Sequence, residues 1–237
     1  MEKRVLKTMR GLLLMIVCAA LMSTLLAPLN LFAQKKIDFE QLGIADGLSQ
    51  NTVYAILQDS RGFLWFGTED GLNRFDGYTF KVYKHNSDEP GSLSNNRVQA
   101  IYEDSSGALW IGTHGGGLNK FDRYNEIFTH FMHEPSNPNS LNNNSVWIIC
   151  GEEPGILWVG TESGITRFDS KTGTFTRRFH ESLEIDGITK SPVRAMGLEG
   201  PGILWIGTLD DGLYKLTAGK TIHYVNEPGN PNSLSNN

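Results

Sequence analysis

At 237 residues, with 39% hydrophobic residues, 20% charged residues and 26 glycines, the chain has the composition of one folded domain of repeated units, or of two small ones. Its formal charge is −5, and no stretch interleaves clustered Lys or Arg with aromatics, so the surface repels phosphate backbones and nucleic acid is excluded as an expected partner. Two cysteines, Cys18 and Cys150, are too few for a disulfide framework.

The first 33 residues stand apart from the rest. Lys3, Arg4, Lys7 and Arg10 form a basic head, Gly11 to Ala27 is nearly unbroken apolar sequence, and Ala33 precedes polar Gln34. That order predicts a secretory signal peptide cut after Ala33. Leu31 is a poor residue three positions before the cut, which leaves an uncleaved N-terminal membrane anchor open. Both readings export the remainder, to the periplasm or beyond, and the second ties it to the inner membrane. The membrane is met only through this segment. Removing residues 1–33 leaves 17 Lys and Arg against 25 Asp and Glu, a formal charge of −8. Cys150 then stands alone after the apolar run Val146–Ile149, and a buried small hydrophobe is expected there.

Residues 34–237 are dominated by a fourfold return. Leu64-Trp-Phe-Gly-Thr68 recurs at Leu109–Thr113, Leu157–Thr161 and Leu204–Thr208, with tryptophans Trp65, Trp110, Trp158 and Trp205 spaced by 45, 48 and 47 residues. Such a period, rich in strand formers and turn glycines, is the signature of β-propeller blades. Each unit predicts four strands; in the second they are about Val98–Glu103, Leu109–Thr113, Leu118–Phe121 and Ile127–Met132. The first connection carries an acid at its first position and Gly at its fourth, as in Asp59–Gly62 and Asp104–Gly107, which suits a type I turn closed by a left-handed residue. The second carries Asp70-Gly71, Gly116-Gly117, Ser163-Gly164 and Asp211-Gly212, signals of tight hairpins. The fold class expected is therefore all-β: four four-stranded antiparallel blades, about 52–84, 97–132, 145–180 and 192–225. Ile37–Leu42 reads as an additional N-terminal outer strand.

Within the motif, Leu64 and Phe66 point to one face while Trp65 and Gly67 point to the other, so both faces hold apolar groups and each must pack on a neighbouring blade. The four tryptophans are expected as blade core, and Gly67 and its equivalents as space for a side chain from the next blade. Between blades run 12-residue polar segments, His85–Asn96, His133–Asn144 and His180–Ser191, with Asn226–Asn237 in the same phase. The last finishes in Ser-Leu-Ser-Asn-Asn, the letters that precede an inner strand at Ser92–Asn96. This predicts the front portion of a larger, incomplete propeller; self-closure of four blades is the alternative.

Catalytic signatures are absent from the sequence: there is no His-Glu-x-x-His, no Gly-x-Ser-x-Gly and no phosphate-cradling glycine loop. Asp70, Glu162 and Asp210 could pair for glycosidic chemistry, but they fall in repeated hairpin turns. His85, His133 and His180 share one repeat position on diverging outer strands, so they read as loop starters that bond to backbone rather than as metal ligands. No cofactor, metal or catalytic residue is expected. The candidate ligand-binding residues are instead those that vary in phase beside the inner-strand Val: Tyr54, Gln99, Trp147 and Arg194 after it, and Asn96 and Arg97 before it in the second unit. Inner strands line the propeller axis, where such side chains converge, and flat aromatic faces with paired polar groups suit an oligosaccharide.

The unit Val98-Gln-Ala-Ile-Tyr-Glu-Asp-Ser-Ser-Gly-Ala-Leu-Trp-Ile-Gly-Thr113, continuing through Gly117-Leu-Asn-Lys-Phe-Asp122, resembles the two-component regulator propeller repeat, as does the opening Leu42–Val53. The resemblance covers about Ile37 to Asn237. It implies the exported sensor region of hybrid two-component histidine kinases, often tied to polysaccharide use, with further blades and a kinase module as partners. A propeller enzyme acting on glycans and a freestanding interaction scaffold are the alternative functions. Glu184-Ile-Asp-Gly-Ile-Thr189 departs from the Asn-Pro-Asn-Ser-Leu pattern of the other connections, and a different loop is expected there.

Overall fold

Strand-forming residues bounded by turn glycines give, in the computed structural model of the chain, four antiparallel four-stranded sheets. The structure describes residues 38–237 apart from 154, 177, 181–182, 185–189, 201 and 218–219, and of residues 153, 178–180 and 183–184 it describes the backbone only. Residues 1–33 and the expected targeting segment lie outside it. No described helix is long and apolar enough to cross a membrane.

Each sheet is a meander in chain order. The first holds β1 (Val53–Gln58), β2 (Leu64–Thr68), β3 (Gly71–Phe75) and β4 (Phe80–Tyr83). The second holds β5 (Val98–Glu103), β6 (Leu109–Thr113), β7 (Gly117–Asp122) and β8 (Ile127–Phe131). In the third, β9 (Val146–Glu153), β10 (Ile156–Thr161) and β11 (Gly164–Asp169) end in a short β12 (Thr174–Thr176). The divergent connection after it carries a small hairpin, β13 (Arg178–His180) with β14 (Leu183–Glu184). The fourth sheet holds β15 (Val193–Leu198), β16 (Leu204–Thr208), β17 (Leu213–Thr217) and β18 (Lys220–Tyr224). The turn glycines Gly62, Gly107, Gly155 and Gly202 all lie in the left-handed region, as the acid-to-Gly pattern requires.

The compact unit spans Leu42–Asn237, and in it the inner strands β1, β5, β9 and β15 pack side by side. One correction concerns the N-terminal strand: residues 38–42 form none. An extended segment becomes a strand only by joining a ladder, and every described sheet is completed by strands that follow residue 52.

Three apolar clusters fill the joints between blades. Trp65 packs with Val98, Leu109 and Ile111 of the second blade, Trp110 with Val146, Leu157 and Val159 of the third, and Trp158 with Val193, Leu204 and Ile206 of the fourth. The glycine after each motif makes these joints close enough. A Cβ on Gly67 would lie 2.7 Å from Val98 Cγ1, one on Gly112 2.5 Å from Val146 Cγ1, and one on Gly160 2.7 Å from Val193 Cγ1. At Gly207 the nearest atom would be Ala195 Cβ of its own blade, at 3.4 Å. Trp205 is correspondingly only partly buried, whereas Trp65, Trp110 and Trp158 are 0–1% exposed. No described sheet covers the outward face of Trp205.

The acids of the first connection do more than shape a turn. Asp59, Asp104, Glu152 and Glu199 each accept a hydrogen bond from the indole Nε1 of their own blade's tryptophan, at 2.7, 2.8, 2.9 and 2.8 Å. An apolar joint thus buries the ring while its one polar atom is satisfied. Arg123 then ties blades one and two by reaching Asp59 at 2.8 Å and Glu103 at 2.5 Å.

Candidate functional site

The inner strands share an irregularity at one place. Val53 pairs with Thr68 and Ala55 with Gly67, so Tyr54 is an extra residue bulged out of the ladder. The same slip places Gln99 between the paired Val98 and Ala100, Trp147 between Val146 and Ile148, and Arg194 between Val193 and Ala195. A bulge bends its strand and re-aims the side chain it carries. The four repeat positions singled out by their variability are thus the four that the backbone re-aims at the ends of the axial strands.

The residue after each motif threonine joins them. Backbone bonds run from the N–H of Glu69, His114, Glu162 and Leu209 to the carbonyls of Thr52, Arg97, Ser145 and Pro192, which holds each beside its bulge. Tyr54 donates its phenol hydrogen to Glu69, a contact that leads its causes in holding the Tyr54 hydroxyl above its ordinary pKa. Arg97 reaches over from the second blade: its guanidinium lies 5.3 Å from the Tyr54 ring centre, Nη2 donates to the Tyr54 hydroxyl at 3.3 Å, and Nε is 3.2 Å from Glu69 Oε2. That last contact is an ion pair without a directed hydrogen bond, since the Nε hydrogen has no aligned acceptor.

Blades three and four repeat the arrangement. Trp147 donates Nε1–H to Glu162 at 2.6 Å, and Arg194 of the next blade lies 3.5 Å above the Trp147 ring centre with Nη2 3.7 Å from Glu162. His114 connects the two groups, its ring 5.5 Å from that of Trp147. A polar and aromatic band therefore crosses all four blades, from Tyr54, Glu69 and Arg97, through Gln99 and His114, to Trp147, Glu162 and Arg194.

The structure refines the sequence reading at several residues. Tyr54, Arg97, Gln99, Trp147 and Arg194 share the band. Asn96 does not: its side chain accepts the His85 N–H at 2.7 Å and donates to Asp70 at 3.2 Å, so both ends are committed to the loop. The Trp147 ring is not an open platform, because Arg194 covers one face. Glu69 and His114 were missed in the sequence; their signal is their phase, one residue past the motif threonine in each repeat. Asp70, Glu162 and Asp210 hold separate partners, Lys84, Trp147 and Ser191 respectively.

His85 and His133 begin their loops as expected. The Nδ1 of each bonds the carbonyl eight residues on, at Leu93 and Leu141, and Asn226 makes the same bond to Leu234. The His180 side chain lies outside the described residues. Cys150 packs at the joint of blades three and four, and burial pushes its thiol up to about 12.

The two component regulator propeller family matches residues 47–70 and 92–115, each running through an inner strand and the Leu-Trp-x-Gly-Thr motif. Two of the four repeats, at residues 47–70 and 92–115, thus match the two-component regulator propeller repeat. The chain is similar to the extracellular domain of the hybrid two-component system BT3049 from B. thetaiotaomicron, at 33% identity and TM-score 0.70, over 78% of this chain and 26% of that one. The corresponding domain of BT4673 from the same organism shares the fold, at 22% identity and TM-score 0.61, over 79% of this chain and 27% of the other. A histidine kinase of Formosa agariphila is 51% identical over 55 residues, which is 23% of this chain and 4% of the kinase. The chain thus spans about a quarter of each of these two solved structures.

Proposed function

We propose that this regulator propeller is the exported ligand-sensing module of a two-component system, and that it binds an oligosaccharide at the axial band. The observation that carries the proposal is the bulge repeated at Tyr54, Gln99, Trp147 and Arg194. Four separate blades give up one regular ladder pairing each, and all four do so at the position whose side chain varies. A position kept for blade packing would hold one residue type, as Val98, Val146 and Val193 do one residue earlier. Export is supported by the basic and apolar order of residues 1–33 and by the extracellular relatives. In this reading the propeller binds and a histidine kinase module signals.

Calorimetric titration of an oligosaccharide panel tests the placement. Trp147→Ala and Arg97→Ala should each weaken binding by about 1–3 kcal/mol, from loss of a packed aromatic or from stranded polar partners. His133→Ala, in an outer connection, should leave it unchanged. Sensitivity at His133 with none at Trp147 would move recognition to the rim and overturn the axial assignment.

A further inference from the structure

The buried hydrogen-bonding capacity left over at the band is mostly donor capacity. Among the described residues, Arg97 Nε, Gln99 Nε2, His114 Nδ1 and Arg194 Nε are buried nitrogen atoms without a hydrogen-bond partner, and all four belong to it. The only other such atoms are Arg123 Nε and Thr221 Oγ1, away from it. Buried polar groups are nearly always paired, so a cluster of orphans in one place calls for a cause. Arginine has no acceptor at all and can only donate. The two nearby carboxylates are engaged through Oε2, Glu69 by the Tyr54 hydroxyl and Arg97, Glu162 by the Trp147 indole and Arg194.

Resting on the axial reading above, we infer that the ligand is a glycan unit bearing an oxyanion, a carboxylate or a sulfate, held by Arg97 and Arg194 with help from Gln99. A neutral sugar hydroxyl donates as well as accepts, and of the four orphan atoms only His114 Nδ1, in one tautomer, could receive its hydrogen. An oxyanion only accepts, and its planar or tetrahedral oxygens match the fork of a guanidinium. Each guanidinium lies over an aromatic ring, its carbon 5.3 Å from the Tyr54 ring centre for Arg97 and 3.5 Å from the Trp147 ring centre for Arg194. Glu69 and Glu162 balance the two positive charges until the ligand arrives, so the oxyanion competes with a carboxylate already in place. That competition gives a result that simple sugar stacking does not: removing the carboxylate charge should strengthen binding.

The test is calorimetry on the full chain with two matched pairs of probes, oligogalacturonate against its methyl ester and dextran sulfate oligosaccharides against unsulfated dextran. We expect binding to the charged member of at least one pair, weakened about 10- to 100-fold by Arg194→Ala, as for hydrogen bonds to charged groups. Arg194→Lys should lose about tenfold, because it keeps the charge but not the fork. Glu162→Gln should bind several-fold tighter, and urea midpoints of all variants report that the blades remain folded. Which pair responds distinguishes carboxylate from sulfate. Equal binding of charged and neutral members, sensitive to Trp147→Ala, would overturn this inference and leave the axial reading standing. Charged binding that ignores Arg97 and Arg194 would overturn it as adventitious. No binding to any of the four probes would overturn it as well.

Discussion

Gly112→Ala and Gly207→Ala are the same substitution at the same repeat position, and the structure assigns them opposite outcomes. A Cβ on Gly112 would sit 2.5 Å from Val146 Cγ1, 3.1 Å from Val146 Cβ and 3.2 Å from Ala100 Cβ. Apolar carbons rest at about 3.5–4.0 Å, so blades two and three must separate by about an ångström at their tightest point or Val146 must leave its rotamer. Overpacking of a filled core costs about 1–3 kcal/mol, offset by the roughly 0.5–1 kcal/mol that Ala gains over Gly within a strand. A net loss of about 1–2 kcal/mol follows. On Gly207 the methyl would meet only Ala195 Cβ at 3.4 Å, an ordinary contact, and the variant should be neutral or slightly stabilised. Urea midpoints of both variants against the parent measure the difference, and Val146→Ala in the Gly112→Ala background should recover part of the loss through a favourable coupling. Equal destabilisation at the two glycines would refute the argument that the valine of the following blade is what the glycine serves.

Trp110→Ala should cost about 3–5 kcal/mol, the range for a fully buried large aromatic, and Trp205→Ala clearly less, because its outward face is already partly in water; equal urea shifts would contradict this. Burial alone pushes the Asp104 carboxyl up, but hydrogen bonds from Ser106, the Trp110 indole and Ala108 outweigh it and hold the pKa below the usual value. A depressed carboxylate contributes stability that is present above its unfolded pKa and lost as pH falls through the folded one. Asp104→Asn should therefore be less stable than the parent at pH 7 and approach it below about pH 4, near the ordinary Asp value; a stability gap independent of pH would overturn the assignment.

Much of this protein could be read from the order of its residues. Leu-Trp-x-Gly-Thr at a period of about 47 residues, with an acid-to-Gly turn before it and a glycine hairpin after it, encodes each blade locally. The information lies within one blade's length, so the strands and turns of a blade, the motif glycine as room for a following blade, and the loops led by His85 and His133 were legible. The phase of Tyr54, Gln99, Trp147 and Arg194 was legible too. Their pairing was not. Arg97 meets Tyr54, and Arg194 meets Trp147, across joints between blades some 43 and 47 positions apart, and sequence phase does not say how far a side chain reaches over such a joint. Asn96 carried the same polar promise as Arg97, and only the fold showed its amide closed onto His85 and Asp70. Likewise the four motif tryptophans are interchangeable as letters, yet Trp205 is only partly buried. Local sequence determined the blade because strands and turns are settled by neighbours along the chain; burial and the ligand band were decided by neighbours in space, which each blade acquires only when the next one packs against it.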